Sequence, residues 1–161
     1  MMISIRPSLW SDYPALVAIE NQIWNEENTP QVVTYSSAVA YKTHYPIGTH
    51  LVAFSELEGK AVGFIDFHPP THLEAHKKTW EIDIGVDPMM QRSGVGEKLI
   101  DAVIEEAKKQ GIHKLSLRVL GTNQGAVRFY QKNGFAIEGM LKEEFWLNNQ
   151  FVDDILMSYI L

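Results

Sequence analysis

The chain of 161 residues predicts an α/β (α+β) fold built on a mixed sheet. Two observations predict it. Three strand-like segments follow one another between His50 and Val86, as in an antiparallel meander. A strand–helix–strand unit then runs from Thr79 to Leu120, which suits a parallel crossover. No internal repeat, low-complexity tract or linker divides the chain, so residues 1–161 are expected to form a single domain.

Each element has a local cause. Residues 3–6 alternate apolar and polar, as a short strand does. Ser11 and Asp12 offer N-cap chemistry to a helix carrying Leu16, Ile19 and Ile23. A second helix is expected over residues 34–44, stopped by Pro46 and Gly48. Residues 50–56 and 60–67 read as strands around a Glu58-Gly59 turn, and the proline-bearing stretch 68–78 as a loop. Residues 79–86 alternate, with Trp80, Ile82, Ile84 and Val86 on one face and Glu81 and Asp83 on the other.

Residues 94–109 form the clearest helix, striped by Val95, Leu99, Ile100, Val103, Ile104 and Ala107. A strand over 114–120, a helix over 123–133 and strands over 135–141 and 151–160 complete the order.

Composition narrows the function. Forty-five per cent apolar and 21% charged residues sit near the average of a soluble globular domain. No apolar run is long enough for a membrane helix, and the N-terminal residues lack the pattern of a signal peptide. The absence of cysteine removes disulfides, thiolate nucleophiles and Cys-based metal sites, and fits a cytoplasmic protein. A formal charge of −6 argues against broad nucleic-acid binding and suits a cationic or amine partner better.

The chemistry concentrates in residues 84–96. A strand ends at Val86, Pro88 prevents its continuation, and a loop with glycines at 94 and 96 opens the amphipathic helix. The first turn of a helix leaves N–H groups unpaired and carries partial positive charge. The loop is therefore a plausible anion cradle, and Arg92 adds a full charge. A nucleoside-triphosphate loop would need Gly-Lys-Ser/Thr, but Glu97-Lys98-Leu99 follows Gly96. A dinucleotide fingerprint would need glycine at Leu99.

The pattern that does fit is Gln/Arg-x-x-Gly-x-Gly/Ala, met by Gln91, Gly94 and Gly96. With Asn123, Ala126, Phe129-Tyr130 and Asn133-Gly134-Phe135 downstream, the chain resembles the Gcn5-related N-acetyltransferases. Glu138-Gly139, Asp153 and Met157 resemble the branch of phosphinothricin and ribosomal-protein N-acetyltransferases. The resemblance implies a mostly antiparallel sheet of six to seven strands flanked by about four helices. It also implies acetyl-CoA as cosubstrate and no metal.

On the family pattern, the backbone around Ile84, Gly85 and Val86 would bond the pantetheine arm, in a gap opened where that strand splays from residues 114–120. The N–H groups of Gln91, Arg92, Ser93, Gly94, Val95 and Gly96 would hold the pyrophosphate, with Asn123 beside the cofactor. Many relatives dimerise, so a homodimer is expected by analogy.

Acetyl transfer to an amine needs a neutral nucleophile and a protonated or hydrogen-bonded leaving sulfur. Without cysteine, direct transfer is the expected route. Glu81 occupies the position of a strand glutamate that serves as base in the phosphinothricin branch. Asp83 is the alternative, and a salt-bridged strand carboxylate the bland reading. Tyr130 is the candidate acid, with aromatic packing as its bland reading. Asn123 also reads as a simple helix cap.

His68, His72 and His76 are spaced for a metal on a helix, but Pro69 and Pro70 oppose that helix. Trp24, Phe145, Trp146 and Phe151 are candidates for the acceptor pocket, with core packing the stronger reading of each. Glu26-Glu27 and Glu143-Glu144 would favour a cationic acceptor. A noncatalytic acetyl-CoA-binding module, and an acyltransferase using a longer acyl group or a hydroxyl acceptor, remain alternatives.

Overall fold

The computed structural model describes residues 2–161. Seven strands and four α-helices follow the expected order. The strands are β1 (Ile3–Pro7), β2 (Leu51–Ser55), β3 (Lys60–His68), β4 (Thr79–Val86), β5 (Lys114–Leu120), β6 (Ala136–Leu147) and β7 (Gln150–Ile160). The helices are α1 (Tyr13–Ile23), α2 (Ala38–His44), α3 (Val95–Lys109) and α4 (Gln124–Lys132). The strands hydrogen-bond in the order β1-β2-β3-β4-β5-β7-β6. The pairs β1–β2, β2–β3, β5–β7 and β6–β7 are antiparallel and β4–β5 is parallel, so the sheet is mixed.

The chain divides into two compact units, and β4 contributes to both. The first contains the chain through Ile23, Val33–Phe67 and Asp83–Ala107. Its core joins Tyr13, Leu16 and Ile19 of α1 to Tyr41, Tyr45, Val52, Ala61 and Phe64. All six apolar residues of the α3 stripe are buried, each worth roughly 1.5–3 kcal/mol for the larger side chains. Asn21 ties α1 to the approach of α2: its Nδ2 donates to the Tyr35 carbonyl at 2.9 Å and its Oδ1 accepts from the Tyr35 N–H at 2.8 Å.

Two helix starts differ from expectation here. Asp12 does not cap α1. It closes a 3₁₀ turn, Trp10–Asp12, and its carboxylate accepts from the Leu9 N–H at 2.7 Å. The same carboxylate takes both guanidinium nitrogens of Arg6, at 2.7 and 2.9 Å, so one side chain serves a backbone N–H and an ion pair six residues away. The second helix starts at Ala38 rather than residue 34, because Ser37 accepts from the Ala40 N–H at 3.1 Å.

The second unit contains Trp24–Val32, His68–Ile82 and Lys108–Leu161. Its core draws on Trp80, Ile82, Leu115, Leu117, Val119, Val127, Phe135, Ile155 and Met157. The β6–β7 hairpin is longer than expected, with β6 reaching Leu147. Its turn is Asn148-Asn149, at φ 51° and 60°. Two positive φ values match the strand twist in a two-residue hairpin. Lys142-Glu143-Glu144 hid the strand's continuation because they bulge: Leu141 pairs with Asp154 and Phe145 with Val152, so three residues oppose Asp153 alone.

Candidate active site

The loop motif folds as a continuous strand–turn–helix in the first unit. At the end of β4, Gly85 is packed so closely that a Cβ would lie 2.5 Å from the Phe64 ring and 2.6 Å from Ile23 Cδ1. Ile84 and Val86 are half-buried on either side of it. The Asp87 N–H donates to the Val62 carbonyl at 2.8 Å, and its side chain accepts from the Met89 N–H at 2.9 Å, capping a 3₁₀ turn over Pro88–Met90. Ser93 Oγ donates to the Met90 carbonyl and turns the chain again.

Gln91, Arg92 and Ser93 are exposed. Arg92 at φ 64° and Gly94 at φ 86° both adopt the left-handed conformation directly before α3. A Cβ on Gly94 would meet open space, so that glycine is required by its φ and not by crowding. Left-handed residues ahead of a helix turn successive N–H groups toward a common side, the geometry of an anion nest. Val95 is buried and Gly96 half-buried in the first turn of α3.

Glu81 lies in the second unit on a polar sheet face. The parallel ladder pairs Thr79, Trp80 and Glu81 with Lys114, Leu115 and Ser116, while β5 runs on beside β7 to Leu120. Alternation places Glu81, Ser116, Arg118 and Asp154 on one face and Trp80, Leu115, Leu117 and Ile155 on the other. Glu81 is half-buried. Arg118 Nη1 donates to Asp154 Oδ2 at 3.0 Å; the Asp154 side chain is 2% exposed and that of Arg118 58%. Burial raises the Asp154 pKa against the pull of Arg118, and the charges of Glu144 and Glu81 raise it further. Asp153 holds the adjoining bulge: its Oδ1 accepts from the Glu143 N–H at 2.7 Å and its carbonyl from the Gly121 N–H at 2.8 Å.

Asn123 caps α4, its Oδ1 accepting from the Ala126 N–H at 3.3 Å. In the last turn of that helix, the half-buried Tyr130 ring packs edge-on against Phe129 and Phe135, with centroids 5.3 and 5.7 Å away. Thus Asn123 and Tyr130 mark the two ends of α4, and the charges of Glu81 and Glu144 act on Asp154, the partner of Arg118.

The remaining candidates are scattered. His68 Nδ1 lies 3.0 Å from the Pro69 carbonyl and His76 Nδ1 2.6 Å from Thr71 Oγ1, and His72 is exposed. Trp146 and Phe151 are more than half exposed and pack on each other beside the hairpin turn, outside the core. Phe145 and Trp24 are half-buried, and Glu26 and Glu27 are exposed. Sequence reading missed Arg118 and Asp154. Their pairing spans 36 residues, and the only cue was an arginine breaking the apolar run of β5 opposite an acid beside Ile155-Leu156-Met157.

Comparison with known proteins follows the same lines. Over 150 residues the chain is 27% identical to the L-methionine sulfoximine/L-methionine sulfone acetyltransferase of Pseudomonas aeruginosa, spanning 89% of this chain and 86% of that protein. A solved structure from Streptococcus mutans superposes at TM-score 0.87 with 31% identity, covering 99% of both chains. The fold of a phosphinothricin acetyltransferase from Sinorhizobium meliloti, solved in complex with acetyl-CoA, matches at TM-score 0.87 with 17% identity, covering all of this chain and 89% of that one. Residues 4–135, from β1 through the Asn123–Phe135 signature, match the acetyltransferase (GNAT) family, and the chain belongs to that family.

Proposed function

We propose that this acetyltransferase, as a single cytoplasmic domain, moves the acetyl group of acetyl-CoA directly to the primary amine of a small molecule. The observation that carries the reading is the loop into α3. Arg92 and Gly94 in left-handed conformations and the first turn of the helix supply backbone donors suited to a pyrophosphate. Gln91, Arg92, Ser93, Gly94, Val95 and Gly96 would hold that group, and the backbone at Ile84, Gly85 and Val86 the pantetheine arm. The Asn123 cap uses Oδ1, so Nδ2 is the atom that would meet the cosubstrate. The name of the Pseudomonas relative, an enzyme for amino-acid-like compounds, supports a small acceptor over a protein N-terminus.

Glu81 takes the proton that the ammonium must lose before attack, directly or through water. The neutral nitrogen then bonds to the thioester carbonyl carbon. The carbon–sulfur bond breaks, Tyr130 donates a proton to the departing thiolate, and the second proton shed by the nitrogen passes through solvent to return Tyr130 to its neutral form. No acyl-enzyme intermediate is required. Free-thiol release from acetyl-CoA across an amine panel tests the reading, with longer acyl-CoAs alongside. Thiol release with amines, fastest for the acetyl donor, is the expected result. Binding of CoA without turnover would favour a noncatalytic module.

A further inference from the structure

The polar face of β4, β5 and β7 contains a residue that acetyl transfer alone does not explain. Arg118 stands on the face that carries Glu81, two positions beyond Ser116, the residue paired with Glu81. Two strand residues advance about 7 Å and one strand spacing adds about 5 Å sideways. These separations let the tips of Glu81 and Arg118 bracket a small molecule with opposite charges on adjacent groups.

Arg118 is also fixed. Buried Asp154 holds it through Nη1, which occupies one of its five N–H donors, while the side chain stays 58% exposed. A guanidinium pinned at one end by a buried carboxylate and open at the other is preorganised for a planar anion. On the same face lie the carboxylates of Glu81 and Asp154 and the ammonium of Lys114, which is ion-paired with Glu138. A simple amine would leave the open donors of Arg118 without an anion. A zwitterion would be matched, its ammonium at Glu81 and its anion at the arginine.

We propose that Arg118, positioned by Asp154, binds the carboxylate of the acceptor and makes this enzyme selective for free α-amino acids over amines lacking a carboxylate. The inference rests on the acetyl-transfer reading above and adds the substrate class. Its test compares kcat/KM for L-amino acids, including methionine sulfone, with their carboxamides and decarboxylated amines. The wild type is expected to prefer the acid by about 10²-fold, largely through KM, the scale of a charge-assisted bidentate contact.

Arg118→Gln can still donate to Asp154, so the buried carboxylate keeps a partner. It is expected to collapse the acid-to-amide ratio to near one, and Arg118→Lys to restore part of it. Wild-type affinity for acetyl-CoA in both variants shows that the fold is intact. A wild type that takes amides as readily as acids overturns the inference while leaving the transfer reading standing. So does an Arg118→Gln variant that keeps the wild-type ratio. Absence of turnover with every acceptor, despite acetyl-CoA binding, overturns the transfer reading and the inference with it.

Discussion

The β4–α3 connection and the polar face of β4, β5 and β7 are built on opposite principles. In the connection, chemistry is assigned to the backbone. Asp87, Ser93 and the left-handed residues Arg92 and Gly94 shape a chain whose donors belong to consecutive peptides. On the polar face, chemistry is assigned to side chains from three strands, with Arg118 and Asp154 joined across 36 residues. A backbone cradle tolerates many side chains and suits a constant cosubstrate. A side-chain constellation changes with single substitutions and suits a variable acceptor.

The largest test of this contrast is Glu81→Gln. It is expected to lower kcat by about 10²- to 10⁴-fold, the usual worth of a general base. Binding of acetyl-CoA, assigned to the other region, should stay near wild type by calorimetry. A variant with unchanged kcat and an unchanged pH profile would remove Glu81 from the base role and leave it a strand carboxylate.

Each unit also buries a group whose ionised form burial disfavours, His50 in the first and Asp154 in the second. His50 is 1% exposed among Tyr13, Tyr41, Tyr45 and Phe64. Its Nε2 lies 3.0 Å from the Tyr41 hydroxyl, and Nδ1 has no partner among the described residues. Burial lowers its pKa from 6.5 to about 4. Unfolding lets the imidazole take up a proton between those values, so stability falls as pH drops from 6.5 toward 4. The full loss below that window is about 3 kcal/mol, at 1.4 kcal/mol per unit.

Asp154 acts with the other sign. Its pKa is raised in the fold, so its contribution favours the folded state at low pH and weakens as pH rises through the shifted value. Denaturant midpoints between pH 4 and 7 should therefore follow His50, and His50→Phe should flatten the profile. A profile that keeps its slope in that variant would transfer the effect to another group.

What the sequence made legible divides along the same line. The loop, Gly94 and the α3 stripe are contiguous, and period and glycine spacing revealed them directly; all six stripe residues are buried as expected. The Asn123 cap was equally local. Arg118 and Asp154 were not legible, because their partnership exists only through the β5–β7 register. The end of β6 was missed for a related reason: a bulge held by Asp153 interrupts the alternation on which strand reading depends. Asp12 serves a position other than the expected one because a 3₁₀ turn precedes α1 and puts Asp12 at its third residue, from which the carboxylate reaches back to the Leu9 N–H.

A smaller effect sharpens the packing side of the contrast. Gly85→Ala places a methyl 2.5 Å from the Phe64 ring and 2.6 Å from Ile23 Cδ1, so both must shift. Destabilisation of about 1–3 kcal/mol is expected from overpacking of this kind. Because β4 ends there, acetyl-CoA affinity should fall as well. Loss of stability at unchanged affinity would detach the β4 backbone from the pantetheine role.

The smallest effect is at Asn123, where cap and cosubstrate contact are assigned to one side chain. Asn123→Ala removes the acceptor for the Ala126 N–H and should cost about 1 kcal/mol of stability. Asn123→Asp keeps that acceptor and satisfies the cap, but replaces the amide donors with a second oxygen. The aspartate variant should therefore regain the stability of the wild type while its acetyl-CoA KM stays raised, by a few-fold, as for one neutral hydrogen bond of about 1 kcal/mol. If Asn123→Asp restores both quantities together, the side chain serves α4 alone, and the cosubstrate contacts of that helix must come from its backbone.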